Sequence, residues 1–366
     1  MRRLTASLLA ALLAAALTGC GDDVPSEPPS GVSRTFFGVA PQDATSDADL
    51  ARMEAGGVGS YHLLLSWPRV EPAPAKYDWN DYDKLLAQLA VHDIEPIAYA
   101  FGTPSHVTES VTTPPTVSDE ALRGWETFLT LAAERYGPDG TFWRQFTTEN
   151  PGVDPKPLRI WEIWNEVNGA AFWSPEPSPS EYATLLKRSQ RTIQKVEPRA
   201  KIMVAGMFAT PGSDAAIESF DFIRRLYEER GVAEAVDMVG VHPYGPGVEE
   251  VREQIEGTRE AVDEGGDPDA ALFVTEIGWG SNPDAGSQLG VTPEEQADLL
   301  GEAYELMIDE RERWNLKGAL WYTWRDPANP VDLCGWCASS GLLDNDLDAK
   351  PAWAAYTRLT GGETTP

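Results

Sequence analysis

The chain has 366 residues, 42% of them hydrophobic, which is ample for a large core and makes global disorder implausible. Its 58 acidic and 29 basic residues give a net charge of −29, which argues against nucleic-acid binding because a phosphate backbone needs clustered Lys and Arg. Length alone suggests roughly two domains, but α/β barrels commonly use about 200 to 400 residues as one unit.

The N-terminus has the pattern of an exported protein. Two arginines precede an apolar run, Leu8–Leu17, which is too short to span a bilayer well and is typical of a signal peptide. The sequence Leu-Thr-Gly-Cys at 17–20 resembles a bacterial lipoprotein signal, which predicts removal of the signal (1–20), a lipid anchor on Cys20 and a Pro/Ser-rich tether over 21–33. A plain secretory signal is the alternative.

Eight short apolar segments alternate with longer amphipathic segments through residues 34–360. The short segments are rich in β-branched and aromatic residues, as buried strands are. The predicted strands are 36–40, 58–65, 95–101, 159–165, 201–206, 236–242, 272–277 and 317–323. Helical periodicity is found in the segments 81–92, 119–136, 181–196, 217–230, 294–313 and 351–359.

This alternation predicts the α/β class, with a parallel sheet covered by helices. Eight such units close naturally into a (β/α)8 TIM barrel. A doubly wound open sheet is the competing architecture, but it would usually carry a Gly-rich nucleotide loop after the first strand, and that loop is missing from the sequence. We therefore predict a single catalytic domain over 34–360 with a short tail, 361–366. Functional residues are expected at the carboxyl ends of the strands.

Two glutamates lie where functional residues are expected. Glu166 follows the fourth predicted strand in Trp-Glu-Ile-Trp-Asn-Glu-Val-Asn (161–168), and Glu276 closes the seventh in Thr-Glu-Ile-Gly-Trp (275–279). Burying a charge at the end of an apolar strand costs desolvation free energy unless the charge is paired, so unpaired charges there often belong to functional sites. Cleavage of a glycosidic bond requires such a pair of carboxyl groups facing each other.

The motifs at the strand ends resemble those of clan A glycoside hydrolases, most of all family 39 and its relatives. The resemblance extends over most of residues 36–356 and follows the order of the predicted strands. Besides the two glutamate motifs it is carried by Trp-Pro-Arg-Val-Glu-Pro (67–72), Tyr-Asp-Trp (77–79), Gly-Thr-Pro (102–104), His-Pro-Tyr (242–244), Trp-Arg-Asp (324–326) and Lys-Pro-Ala-Trp (350–353).

The resemblance implies a role for each matching residue. Glu166 would be the general acid/base and Glu276 the nucleophile of a retaining, double-displacement mechanism. Asn165 would hydrogen-bond the 2-hydroxyl of the sugar at the cleavage point. Tyr244 would donate to the Glu276 carboxylate, and His242 would line the same pocket, with a purely structural histidine as the alternative.

Two positions depart from the family pattern. Val167 stands where the family usually has proline, which should alter loop stiffness more than chemistry. Ser105-His106 replaces the aromatic residue that commonly follows the Gly-Thr-Pro turn, so the sugar contacts of that loop are in doubt. Glu162, four residues before Glu166, is expected to pair with an Arg or Tyr inside the barrel and to serve the structure.

Aromatic residues near the strand ends are candidates for stacking on sugar faces: Phe172, Trp173, Trp279, Tyr322 and Trp324. Core packing is the alternative for each. Strand alternation places Tyr322 and Trp324 on one face, and one of them is the predicted platform.

Cys334 and Cys337 are expected to form a local disulfide in an oxidising exterior, because a redox motif would lie near a thioredoxin-like βαβ start. The four histidines lack metal-site spacing, so neither a metal nor another cofactor is predicted.

These observations predict an extracytoplasmic, lipid-anchored glycosidase that acts on an oligo- or polysaccharide, as a monomer. A non-catalytic carbohydrate-binding lipoprotein and a transglycosylase that remodels envelope glycans are the alternatives.

Overall fold

A computed structural model describes residues 31–209, 216–329 and 334–364. The predicted signal peptide, Cys20 and residues 21–30 of the predicted tether lie outside the described residues, as do the last two residues of the tail. None of the helices in the described ranges is both long and apolar enough to cross a membrane.

Eight parallel strands form a closed barrel in sequence order, with β1 paired to both β2 and β8. This confirms the predicted (β/α)8 barrel and contradicts the open-sheet alternative. The strands are β1 (Phe37–Val39), β2 (Ser60–Ser66), β3 (Glu95–Phe101), β4 (Ile160–Ile163), β5 (Lys201–Val204), β6 (Met238–Val241), β7 (Ala271–Ile277) and β8 (Leu316–Trp321). Each overlaps one predicted apolar segment.

The six predicted helices are found, and α1, α2, α5 and α8 are additional to them. The helices are α1 (Asp47–Ala55), α2 (Trp67–Val70), α3 (Asn80–Val91), α4 (Asp119–Tyr136), α5 (Thr141–Glu149), α6 (Pro179–Val196), α7 (Ser219–Glu228), α8 (Val248–Glu264), α9 (Pro293–Trp314) and α10 (Pro351–Thr360). Short 3-10 helices occur at Arg34–Phe36, Pro115–Val117, Ala233–Ala235 and Trp336–Ser339.

Local sequence signals set where the longer helices begin. At the start of α9 the Thr292 side chain accepts a hydrogen bond from the Glu295 N–H, and the Glu295 carboxylate accepts one from the Thr292 N–H. This reciprocal cap satisfies backbone donors that the first helical turn leaves unpaired, and Pro293 follows where no donor is needed. Ser46 and Asp49 form the same cap at α1.

The core has two parts. A large cluster fills the space between the strands and the surrounding helices. A small one consists of residues in or directly after the strands that face the inside of the barrel: Ala40, Ile97, Met203, Met238, Ala271, Phe273 and Leu320. Other interior strand positions are polar, and they include His62, Glu162 and Thr275. The barrel is therefore filled by side chains and presents its functional groups at the end where the strands lead into α-helices.

Candidate active site

The chain turns sharply where β4 ends, and this turn brings Glu166 into the barrel mouth. Trp164 and Glu166 both have left-handed backbone angles, with φ of 74° and 42°. Such angles cost on the order of 1–3 kcal/mol each for residues with a side chain, so the surrounding structure must hold them. Hydrogen bonds do so: the Glu166 N–H donates to the Gly206 carbonyl at 3.0 Å, and the indole of Trp164 donates to the Phe172 carbonyl at 2.6 Å.

Glu166, His242 and Glu276 converge at the mouth from the ends of β4, β6 and β7. One carboxylate oxygen of each glutamate and one nitrogen of His242 all lie within 4.8 Å of one another. Both glutamate side chains are mostly buried, each 14% exposed. The structure thus brings together the two glutamates predicted from separate strands.

His242 links the two glutamates. Burial by itself would lower the pKa of His242, but the negative charges of Glu276 and Glu166, with the hydrogen bond to Glu166, raise it to about 9. The ring is therefore protonated at neutral pH. Its Nδ1–H donates to Glu166 Oε1 at 2.9 Å and lies 3.8 Å from Glu276 Oε2, while Nε2–H donates to Thr275 Oγ1 at 3.0 Å. His242 thus lies in contact with both glutamates.

The environment of Glu166 suits a group that donates and accepts a proton. Burial raises the pKa of Glu166, the hydrogen bond and charge of His242 lower it, and the charges of Glu276 and Glu162 raise it again, with an upward net shift. A carboxyl group that keeps its proton above the usual range can act as a general acid.

Glu276 receives a hydrogen bond from Tyr244, whose hydroxyl donates to Glu276 Oε2 at 2.8 Å. Burial and the Glu276 charge raise the pKa of Tyr244 well above its usual value, so the phenol remains a donor at any physiological pH. This contact matches the role that the family resemblance implies for Tyr244. It gives the Glu276 carboxylate a side-chain hydrogen-bond donor.

Asn165 lies between the two left-handed residues at the mouth and is 8% exposed. Its side-chain oxygen Oδ1 has no hydrogen-bond partner within the described part of the chain. A buried amide without a partner is costly, so an oxygen left free beside the glutamates suits contact with a ligand hydroxyl.

A buried hydrogen-bonded chain supports the site from inside the barrel. Glu162 is fully buried and accepts hydrogen bonds from the Gly206 N–H at 2.6 Å and from the Thr275 hydroxyl at 3.4 Å. Its other oxygen lies 2.7 Å from His62 Nε2. The expectation of an Arg or Tyr partner was therefore wrong, because histidine on β2 and a backbone amide satisfy this carboxylate. Thr275 continues the chain to His242.

Replacing Glu162 with alanine should lower the free energy of unfolding by about 3–5 kcal/mol, because it leaves His62, the Gly206 N–H and the Thr275 hydroxyl without their buried partner. Chemical denaturation measures this loss. The matched control is Asp81→Ala in the exposed pair Arg69–Asp81, with side chains 61% and 84% exposed, where less than about 1 kcal/mol should be lost. Equal losses in the two variants would contradict a supporting role for Glu162.

The raised pKa of His242 predicts a specific pH dependence of stability. The folded-state pKa is about 9, against an ordinary value of 6.5, so the contribution to stability is complete below pH 6.5 and is lost as the pH rises through 9. The difference in unfolding free energy between the wild type and His242→Gln should thus shrink by about 3 kcal/mol between about pH 6 and pH 10. A difference independent of pH would show that His242 is not charged in the folded protein.

The aromatic predictions at the mouth are partly wrong. Trp324 is buried away from the glutamates: its indole N–H donates to Asp49 Oδ1 at 2.9 Å and its ring packs edge-on against Trp353. The prediction from strand alternation is wrong because β8 ends at Trp321, so Tyr322 and Trp324 do not lie on one face of a strand. Tyr322 remains at the site, where the charges of Glu276 and Glu166 add to burial in raising its pKa.

Two other proposed stacking residues, Trp173 and Trp279, are fully buried and belong to the core, while Phe172 is partly exposed. One aromatic residue of the mouth was not predicted. The ring of Trp336 lies 5.0 Å from that of Tyr244 and 6.0 Å from that of Tyr322. In the sequence, Trp336 is marked only by its position between Cys334 and Cys337. These two cysteines form the predicted disulfide in the structure.

The donor atoms of Glu166, His242 and Glu276 are close enough together to surround a metal ion. Each is already engaged, since His242 donates to Glu166 and Tyr244 donates to Glu276. Metal ligation needs the neutral imidazole, so an ion would have to displace the Nδ1 proton that His242 donates to Glu166. The arrangement suits proton transfer and nucleophilic attack better than metal chemistry.

Comparison with families and curated proteins finds no match, whereas comparison with solved structures finds many. A family 39 glycoside hydrolase from Bacteroides cellulosilyticus WH2 is 20% identical, with a TM-score of 0.65 over 90% of this chain and 65% of that one. A monomeric beta-xylosidase from Caulobacter crescentus CB15 is 17% identical, with a TM-score of 0.64 over 90% and 68% of the two chains. A GH5_18 protein from Streptomyces cattleya, in complex with GlcNAc, is 16% identical, with a TM-score of 0.65 over 91% and 80%.

The chain thus spans slightly less than two thirds of the length of the family 39 structure. At these identities the likeness establishes a shared (β/α)8 barrel, and the chemistry rests on the site residues themselves.

Proposed function

We propose that this protein is a retaining glycoside hydrolase that cleaves a β-glycosidic bond of an oligo- or polysaccharide by double displacement. The observation that carries the proposal is the separation of the two carboxyl groups, whose nearest oxygens lie within 4.8 Å. Retaining enzymes hold these groups about 5–5.5 Å apart, whereas inverting enzymes need about 6.5–9.5 Å to admit a water molecule between carboxylate and sugar.

In the first step Glu276 attacks the anomeric carbon as its bond to the leaving oxygen breaks. Glu166 gives a proton to that oxygen, so that an alcohol leaves and a covalent glycosyl–Glu276 ester remains. The proton reaches Glu166 along its 2.9 Å hydrogen bond from His242 Nδ1. His242 and Glu166 thus share one proton, and its loss at alkaline pH belongs to the pair.

In the second step a water molecule attacks the anomeric carbon from the side that the leaving group vacated. The pair Glu166–His242 accepts the proton from this water, the ester bond to Glu276 breaks, and the sugar leaves with its original anomeric configuration. Tyr244 donates to Glu276 Oε2 at 2.8 Å and so stabilises the carboxylate before attack and as it departs.

Two further residues recognise the sugar in this proposal. The free Oδ1 of Asn165 accepts a hydrogen bond from the hydroxyl next to the anomeric carbon, and that bond strengthens in the transition state. Tyr322 offers a ring face beside the glutamates, on which the C–H groups of a pyranose can stack.

The solved structures support the choice of substrate class. Two of the proteins that share this barrel are described as a family 39 glycoside hydrolase and a beta-xylosidase, so β-xylosides are the first substrates to test. The N-terminal sequence supports a location outside the cytoplasm, where the enzyme is held to the membrane through Cys20 or secreted. Its action as a monomer is part of the same proposal.

Hydrolysis of a panel of aryl β-glycosides and polysaccharides, followed by mass spectrometry of the products, tests the proposal. We expect release of sugar from at least one β-linked substrate by the wild type and none by Glu276→Ala. Products longer than the substrate would indicate transglycosylation instead. Binding of glycans with no turnover on any substrate would contradict the enzyme assignment and favour a carbohydrate-binding protein.

A further inference from the structure

We propose that the disulfide-closed turn Cys334–Cys337 is a positioning device for the nucleophile, which it reaches through Trp336 and Tyr244. The proposal rests on the catalytic function argued above. It concerns a segment that has no part in the chemistry itself, and it gives the Cys-x-x-Cys motif a function at the site.

The disulfide closes a loop of only four residues, with a Cα–Cα distance of 5.3 Å between Cys334 and Cys337. A disulfide stabilises a protein mainly by restricting the unfolded chain, and this effect is smallest for the shortest loops. Global stability is therefore a weak reason for a crosslink here. Its direct consequence is local, because it holds one turn around Trp336.

The far end of this turn is anchored to the barrel. The Ser339 carbonyl accepts hydrogen bonds from the Ser281 N–H at 2.8 Å and from the Lys350 ammonium at 2.9 Å. The Ser340 carbonyl accepts one from the Trp321 indole at 3.0 Å. The ammonium of Lys350, mostly buried, is also paired with Asp326 at 2.6 Å. Hydrogen bonds thus fix the turn at Ser339 and Ser340, and the disulfide restrains it at Cys334 and Cys337.

Trp336 connects the turn to the reacting groups. Its ring packs edge-on against Tyr244, with centroids 5.0 Å apart, and against Tyr322 at 6.0 Å. The Trp336 carbonyl packs closely on Gly280, where the absence of a side chain lets the turn approach. Tyr244, whose ring contacts Trp336, donates a hydrogen bond from its hydroxyl to Glu276 Oε2. Contacts therefore run without a gap from the disulfide to the nucleophile.

Loosening the turn should let Trp336 withdraw and Tyr244 tilt away from Glu276. Hydrogen bonds weaken steeply with angle, and a misplacement of about 1 Å in a reacting group can cost on the order of 100-fold in rate. The effect should fall on kcat more than on KM, because the hydrogen bond positions the Glu276 carboxylate for attack and strengthens as charge returns to it when the ester breaks.

A double-mutant cycle with a reductant tests this coupling. Dithiothreitol, which is oxidised as it reduces Cys334–Cys337 to two thiols, should lower kcat of the wild type about 5-fold, and Cys334→Ser/Cys337→Ser should reproduce that value without responding to the reductant. Trp336→Ala should lower kcat about 10-fold, and the reductant should then have no further effect. Trp336→Phe, which keeps an aromatic ring, should recover kcat to within about 3-fold of the wild type.

An equal response to the reductant in wild type and Trp336→Ala would overturn the proposal, since the disulfide would then act by another route. A kcat of Trp336→Ala equal to that of the wild type would also overturn the proposal. A crystal structure of Cys334→Ser/Cys337→Ser gives a readout independent of turnover: the Tyr244–Glu276 contact should lengthen beyond hydrogen-bond range, and an unchanged 2.8 Å contact would equally overturn it. Lack of turnover by the oxidised wild type would contradict the proposed catalytic function. The coupling between the disulfide and the Tyr244–Glu276 contact would still be tested by the crystal structure.

Discussion

Glu276→Ala should lose hydrolysis by a factor of at least about 10⁴, because no other group can form the covalent intermediate. Added azide should restore turnover of aryl β-glycosides, since this small anion can occupy the space of the missing carboxylate and attack the anomeric carbon. The bond to the aryloxide breaks, Glu166 supplies its proton, and an α-glycosyl azide forms. Nuclear magnetic resonance of the product distinguishes its anomeric configuration.

The control for Glu276→Ala is Glu120→Gln, which changes an exposed glutamate on α4 and should leave activity unchanged. Wild-type turnover in Glu276→Ala without azide would remove Glu276 as the nucleophile. An azide product of β-configuration would place the lost carboxyl group in the acid/base role instead.

Glu166→Ala should show a loss that depends on the leaving group. Substrates with poor leaving groups need protonation and should react about 10²–10⁴-fold more slowly. Aryl glycosides with an acidic phenol need little assistance and should form the glycosyl intermediate at a nearly normal rate, so that its breakdown limits turnover. Azide should accelerate that breakdown and yield a β-glycosyl azide, the opposite anomer from Glu276→Ala.

The pH profile provides a second measurement for Glu166. In the wild type, activity should fall at alkaline pH as the shared proton of the Glu166–His242 pair is lost, because the leaving oxygen then has no proton donor. This alkaline limb should disappear from kcat/KM of Glu166→Ala on an activated aryl glycoside. A uniform loss on all leaving groups, with an unchanged pH profile, would contradict the acid/base assignment.

The barrel could be predicted because parallel strands covered on one side by helices leave a strong pattern in the sequence. Eight apolar segments of strand length, most of them followed by an amphipathic segment, define the architecture. In this architecture the carboxyl ends of all strands lie at one end of the barrel. Glu166 and Glu276 follow from that geometry together with the motif resemblance. Their spatial proximity depends on barrel closure, which a linear pattern indicates only indirectly.

The errors arise where the chain leaves regular structure. Alternation could not place Trp324, because β8 ends at Trp321 and the backbone then changes direction. Trp336 lies in a loop without periodicity, and only tertiary contact brings it to Tyr244. The partner of Glu162 was missed because His62 is 100 residues away along the chain and only the closed barrel brings β2 and β4 together at one level.

The anomeric configuration of the first product is the most direct test of a double displacement by Glu166 and Glu276. Nuclear magnetic resonance should follow a β-glycoside substrate in the first minutes of hydrolysis, before the released sugar equilibrates. Carboxyl oxygens within 4.8 Å predict that the β-anomer appears first and the α-anomer only later, by spontaneous mutarotation. Initial appearance of the α-anomer would show single displacement by water and would contradict the proposed mechanism.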